Sequence, residues 1–221
     1  MTPPRGVVFD MDGLLLDTEQ VWLRTFHETM AAHDLPSDNA LFTSLVGTNA
    51  IEGRARLTNG LAGRADPAQF DAAWTEAAEA AFATVISVKP GVPELANALR
   101  ERGLPYIIAT STRTAKAHRH LARAGLADLF PDVIGGDQVN RSKPEPDIYL
   151  AAVAALGLPA EASVAFEDSP NGVRAALSAG LITVQVPDVV IPDAEVRALG
   201  HLIAEDLLSG ALAVGLLGEM A

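Results

Sequence analysis

The sequence predicts an α/β protein, a Rossmann-like parallel sheet core carrying an inserted helical cap. Three observations predict it. Short, almost wholly apolar segments recur along the second half of the chain, as strands buried on both faces require. Stretches of helical periodicity that close on glycine separate them, so strand and helix alternate. Between the first strand and this series runs an alanine-rich region with no strand pattern.

Val7-Val8-Phe9 is the first strand, and Asp10-Met11-Asp12-Gly13 follows it. From Thr18 to about Ile86 the chain favours helix, most clearly over Glu19 to Ala32 and Pro67 to Ala83. It returns near Val88-Lys89-Pro90-Gly91. The expected division is therefore a core of residues 1–16 and 87–221 and a helical cap of residues 17–86. An insert rooted beside a strand end is well placed to act as a lid. In the second half, Tyr106 to Ala109 reads as a strand, Thr114 to Ala124 as a helix closed by Gly125, and Asp132 to Gly135 as a strand. Pro146 to Leu156 reads as a helix, with prolines suited to a first turn. Val164 to Phe166 is the next strand, Gly172 to Ala179 the next helix, and Leu181 to Val186 a strand halted by Pro187. Leu207 to Gly218 is too short to span a bilayer and is broken by Gly210 and Gly215, so it reads as core-packing sequence.

Composition narrows the function. Hydrophobic residues make up 49%, ample for a packed core. The absence of cysteine excludes disulfides, thiolate metal sites and cysteine nucleophiles. A formal charge of −12 disfavours nucleic acid or an anionic membrane as partner. An anionic substrate would then need local positive charge from a metal ion, a lysine or helix amino termini. His27, His33, His118, His120 and His201 show no metal-ligand spacing and read as surface or helix residues. Met1-Thr2-Pro3-Pro4-Arg5 has none of the character of a signal peptide, so the expected location is cytoplasmic. The expected state is a monomer or weak homodimer.

Four features fall at the ends of four predicted strands. Asp10 and Asp12 follow the first, where open α/β sheets bind ligands. Paired acids there suit a hard cation, and an aspartate can also attack phosphorus. Thr110-Ser111 ends the Tyr106 strand. A hydroxyl followed by helix-start N–H groups can cradle phosphate, although such residues also cap helices routinely. Lys143 lies in Ser142-Lys143-Pro144-Glu145-Pro146-Asp147, where two prolines stiffen the loop, and could offset charge on a transferring phosphoryl group. Glu167-Asp168 follows the Val164 strand, an odd choice for packing and a natural one for completing a metal site.

This ordered set resembles the haloacid dehalogenase superfamily, in the phosphatase and β-phosphoglucomutase-like branch with a helical cap. The resemblance rests on Phe9-Asp10-Met11-Asp12-Gly13 with Asp17-Thr18-Glu19, Thr110-Ser111, Lys143-Pro144-Glu145-Pro146-Asp147 and Glu167-Asp168-Ser169, and it covers essentially the whole chain. It implies that Asp10 is the nucleophile, forming an aspartyl-phosphate, and that Asp12 is the general acid and then the base. It implies Mg²⁺ held by the Asp10 carboxylate, the Asp12 backbone carbonyl and the Asp168 carboxylate, with Glu167 acting behind them or through water. Lys143, the Thr110 hydroxyl and the Ser111 N–H would surround the phosphoryl oxygens. The implied partner is a small phosphorylated metabolite of the sugar phosphate or phosphoglycolate type.

Two departures separate hydrolysis from mutase activity. The mutase branch carries a cap arginine where Val46-Gly47-Thr48-Asn49-Ala50 has alanine, and a histidine where this chain has Trp22. Hydrolysis is therefore favoured over a phosphomutase of the β-phosphoglucomutase type, and the intact set of acids with Lys143 favours it over a non-catalytic sensor of phosphorylated ligands. In such a family the cap reads the leaving group, which makes Asn49, Arg54 and Trp22 candidate substrate contacts, with Arg113 beyond the phosphate cradle.

Overall fold

The computed structural model describes residues 3–48, 50–84 and 86–218. Strands β1 (Gly6–Phe9), β2 (Tyr106–Thr110), β3 (Val133–Gly135), β4 (Ser163–Glu167), β5 (Ile182–Gln185) and β6 (Leu202–Ile203) form one parallel sheet. Their order is β3-β2-β1-β4-β5-β6. The order reverses between β1 and β4, and in open α/β sheets a binding crevice lies at the carboxyl ends beside that reversal. Register makes the crevice level: Phe9 sits opposite Ile108 on one side and Phe166 on the other. The Asp10 N–H then donates to the Phe166 carbonyl at 2.9 Å.

The chain between β1 and β2 begins with helices α1 (Thr18–Ala32), α2 (Asn39–Leu45), α3 (Ala50–Leu61) and α4 (Pro67–Phe82). Phe26 and Met30, Leu41 and Phe42, Leu57 and Leu61, and Phe70 close a hydrophobic cluster of their own, apart from the sheet. These helices are the cap. The core helices are α5 (Val92–Glu101), α6 (Thr114–Arg123), α7 (Asp147–Leu156), α8 (Pro170–Ser178), α9 (Ala194–Arg197) and α10 (Leu207–Ala213). Successive strand residues point to opposite faces of a sheet. Val7 and Phe9 accordingly pack with Ile108, Val164 and Phe166 under α5, α6 and α10. Val8 packs with Ile107, Ala109 and Ala165 under α7 and α8. Among the described residues no helix is long and apolar enough to cross a membrane.

Helices α2 and α3 fall in the stretch expected only in general terms to be helical, and α5 and β6 lie outside the predicted elements. Gly53 and Gly60 weaken the helical signal of α3, since glycine costs roughly 1 kcal/mol in a helix interior. Packing overrides that cost: a Cβ at Gly60 would collide with the Leu41 side chain, so the glycine lets α3 lie against α2. The α2 helix is only seven residues long, and the Asp38 carboxylate caps it by accepting from the Leu41 N–H at 3.0 Å. The α5 helix buries Val92, Leu95, Ala96 and Leu99, one stripe of a regular amphipathic helix. Strand β6 has two residues and sits at the sheet edge, too short for a pattern to show.

Phe9 anchors the center of the sheet. Its ring lies 5.6 Å from that of Phe166 and 5.8 Å from that of Phe130. Truncating such a residue leaves a cavity its neighbours cannot fill. Phe9→Ala is expected to cost about 3–5 kcal/mol of stability. Urea denaturation checks this, and a midpoint within error of the parent would contradict the packing described.

Candidate active site

The site begins with a sharp turn. After β1 the chain reverses, with the Leu15 and Leu16 N–H groups both donating to the Met11 carbonyl at 3.0 Å. Gly13 takes φ +84°, and a Cβ there would collide with the Asp168 carboxylate, so glycine is required on both counts. The turn holds Asp10 and Asp12 over the crevice. Leu16 then pairs with Val88 as the chain leaves for the cap and returns. Lys89, next after Val88, meets Asp17 at 3.1 Å and Asp188 at 2.6 Å. The cap thus departs from the turn that presents the acids.

Lys143 reaches this point from the loop before α7. Its ammonium donates to Asp10 Oδ1 and to Glu167 Oε1, each at 2.5 Å, and to the Ala109 carbonyl at 3.2 Å. Glu167 is fully buried and engaged on both oxygens. Tyr149 donates to Oε1 at 2.7 Å, while the Asp168 N–H, Ser169 N–H and Ser169 hydroxyl converge on Oε2 at 3.1 Å. Gly172 makes room for that carboxylate, which an added Cβ would strike.

Asp12 accepts hydroxyl hydrogen bonds on both oxygens, from Thr18 at 3.0 Å, Thr110 at 3.1 Å and Thr112 at 2.8 Å. The Thr112 N–H in turn donates to the Thr110 hydroxyl at 3.1 Å. Asp168 differs: among the described residues nothing donates to its carboxylate, although Gln185 donates to its backbone carbonyl at 3.0 Å.

The charges do not balance. Asp10, Glu167 and Asp168 can bring carboxylate oxygens within 4.8 Å of one another, against the single ammonium of Lys143. Burial pushes the Asp10 carboxyl up to about 8; Lys143 offsets this only in part, and Glu167 and Asp12 push it further up. Burial, then Glu167 and Asp10, hold Asp168 well above the usual carboxylate range. Burial alone would raise Glu167 too, but Lys143 pulls it below its ordinary value. Lys143, desolvated yet flanked by Asp10 and Glu167, is held above the usual lysine range.

A cavity of about 470 Å³ joins Asp10, Asp12, Thr110, Ser111, Lys143 and Asp168, so the structure brings these predicted residues together. Arg113 stands exposed at its rim, just before α6, and Trp22 forms part of its cap-side wall. Glu167 lies behind Lys143 rather than on the cavity surface. Arg54 lies outside this cavity, exposed and 3.9 Å from Asp71. Asn49 lies outside the described residues.

Thr18, Thr112, Tyr149, Glu19 and His120 are residues that sequence reasoning missed. Thr18 and Glu19 sit inside the motif that carried the resemblance, which was the available signal. Burial, with Asp12 next, pushes the Glu19 carboxyl up to about 8 at the cavity wall. His120 is buried against Phe82, its ring 4.9 Å away, and desolvation holds it below the usual histidine range. Nothing in the local sequence marks Tyr149 or His120, whose placement follows from helix packing.

The comparisons agree with this geometry. Residues 4–180 match the family model for haloacid dehalogenase-like hydrolases. The phosphorylated carbohydrates phosphatase of Thermotoga maritima is 33% identical over 80% of this chain and 82% of its own length. The phosphoglycolate phosphatase of Rhodospirillum rubrum is 35% identical over 80% of this chain and 77% of its own. The crystal structure of a haloacid dehalogenase family hydrolase from Deinococcus radiodurans, with bound phosphate and sodium, superposes with a TM-score of 0.83 at 29% identity and covers both chains fully. This chain belongs to the haloacid dehalogenase-like hydrolase family, as a phosphoric monoester hydrolase.

Proposed function

We propose that the protein is a Mg²⁺-dependent phosphatase that cleaves small phosphorylated metabolites through an aspartyl-phosphate on Asp10, with residues 17–86 as its cap. One observation carries the reading. Asp10 has one oxygen held by Lys143 and the other without a donor among the described residues, in a cavity shared with Asp12 two residues on.

The donor set fits the metal. Oxygen ligands alone, an excess of buried carboxylate, and an Asp168 carboxylate with no protein donor suit a hard divalent cation. The Asp10 carboxylate, the Asp12 backbone carbonyl and the Asp168 carboxylate would hold it. Glu167, its oxygens occupied by Lys143, Tyr149 and the 168–169 turn, supports this set from behind. Bound there, Mg²⁺ neutralises charge on the phosphoryl oxygens and on the carboxylates around them.

The protein's own groups account for the rest. The free oxygen of Asp10 attacks phosphorus as the bond to the ester oxygen breaks, and Asp12 passes a proton to the departing alkoxide. Asp12 then takes a proton from water as that water attacks the aspartyl-phosphate, which restores Asp10 and frees phosphate. Lys143 fixes the nucleophile's other oxygen throughout, and the Thr110 hydroxyl with the Ser111 N–H faces the phosphoryl oxygens. Trp22, at the position where the mutase branch carries histidine, favours water over a sugar hydroxyl as the second acceptor.

Three outcomes test the proposal. Asp10→Asn is expected to abolish phosphate release while circular dichroism and melting stay near the parent; substantial turnover in that folded variant would refute the nucleophile. Asp168→Ala should shift the Mg²⁺ concentration for half-maximal activity upward at least tenfold, and an unchanged titration would remove it from the metal site. The third concerns protons. Asp10 and Glu19 hold theirs to about pH 8 in the folded protein, whereas the unfolded chain releases them near pH 4. The folded state then binds more protons, so stability falls as pH rises toward 8. The lowered histidines His120 and His201 oppose this only around and below pH 6.5. Melting in EDTA should therefore drop between pH 7 and 8.5, and added Mg²⁺ should lessen the drop. A melting temperature that rises over that interval in EDTA would contradict the charge imbalance.

A further inference from the structure

The cavity above Asp10 continues past Glu19, Trp22 and Thr48 into a second chamber of about 510 Å³, walled mostly by the cap and closed on the core side by Ser111 and Thr112. Its character differs from that of the core. Both tryptophans of the chain line it, together with Phe42, Leu45 and Leu57. The Trp74 indole N–H donates to the Trp22 carbonyl at 3.0 Å and to the Thr25 hydroxyl at 3.2 Å. That turns its polar edge into the cap and fixes the ring, so the surface left to the chamber is apolar. Trp22 meets it edge to face, with centroids 5.2 Å apart. Both indoles are only half-buried by protein.

The chamber's charges are as telling. Among the described lining residues Arg54 is the one cation, and Asp71 lies 3.9 Å from it. Glu19 stands at the mouth between the chambers. Lys116, on the core side, is ion-paired with Glu79. A second phosphate or a carboxylate reaching the far end of the chamber would arrive beside Asp71, where the one lining cation, Arg54, already faces that acid. A two- or three-carbon leaving group would leave both indoles uncovered.

We infer that the enzyme acts on phosphate monoesters whose leaving group is an uncharged ring, seated against Trp22 and Trp74 in the cap chamber, in preference to short acyclic acids and bisphosphates. Arg54 and Asp71 are then the groups that meet ring hydroxyls. This inference rests on the phosphatase reading above and names its substrate class.

The test separates the two. Cyclohexyl phosphate, glycerol 3-phosphate and 2-phosphoglycolate are titrated by calorimetry into Asp10→Asn protein, which binds without turnover, and their kcat/KM values are measured on the parent enzyme with Mg²⁺. Cyclohexyl phosphate should bind at least tenfold more tightly and show the highest kcat/KM, because burying several methylenes in an apolar pocket gives at least that discrimination. Trp74→Leu should shrink the ratio about tenfold. Equal affinities, or a preference for 2-phosphoglycolate, would overturn the inference while leaving a phosphatase. Absence of phosphate release from all three esters would overturn both. The ratios in the Asp10→Asn and parent proteins decide the matter even if Trp74→Leu fails to fold.

Discussion

The catalytic edge depends on one buried ammonium. Lys143 belongs to no strand or helix, yet it binds the acid after β1 and the acid that ends β4 at equal distances. Without it, two neighbouring strands would end in buried like charges, an arrangement that costs several kcal/mol per uncompensated ion. Glu167 transmits the constraint further, fixing the Tyr149 hydroxyl and the turn that carries Asp168. Asp10, Lys143, Glu167 and the turn that carries Asp168 therefore form one connected unit. One ammonium cannot satisfy three carboxylates, and the remainder is met by protons or, in the proposed reading, by Mg²⁺.

The same turn that presents Asp12 also launches the cap. Leu16 pairs with Val88, the Asp17 N–H donates to the Ser87 carbonyl at 2.9 Å, and Lys89 bridges Asp17 and Asp188. On the far side, Asn171 at the start of α8 donates to the Gly47 carbonyl at 2.5 Å, tying the cap loop to the core. The cap is thus braced on both sides of the cavity mouth while keeping a hydrophobic cluster of its own. This arrangement divides the labor. The proposed reactive groups sit on the sheet edge, and the residues proposed to meet the leaving group sit on the cap helices.

Much of this was legible in the sequence because its signals are local. Strands buried on both faces leave continuous apolar runs, as at Val7 to Phe9 and Val164 to Phe166, and acids placed just after such runs stand out. The cap helices α1 and α4 were readable for the same reason, being long and rich in helix formers. What escaped was set by packing. Helix α3 carries two glycines and holds its course only against α2. Tyr149 matters because α7 lies over β2 and β1 and so brings its hydroxyl to Glu167. The two tryptophans, far apart in the chain, become one wall only when α1 and α4 pack together.

A protein of charge −12 that handles phosphate esters must attract them over short range. Screening confines the acidic exterior's influence to roughly 8–10 Å at physiological ionic strength, so the field inside the cavity is set by its own walls. There Lys143, the proposed Mg²⁺ and the first turns of α6 and α8 favour an anion. Each of these lies at the sheet edge, and none reaches into the cap. The positive potential is thus matched to a single phosphoryl group, and the chamber beyond offers a leaving group apolar surface instead. On the proposed reading, charge places the phosphorus and the indoles select what is attached to it.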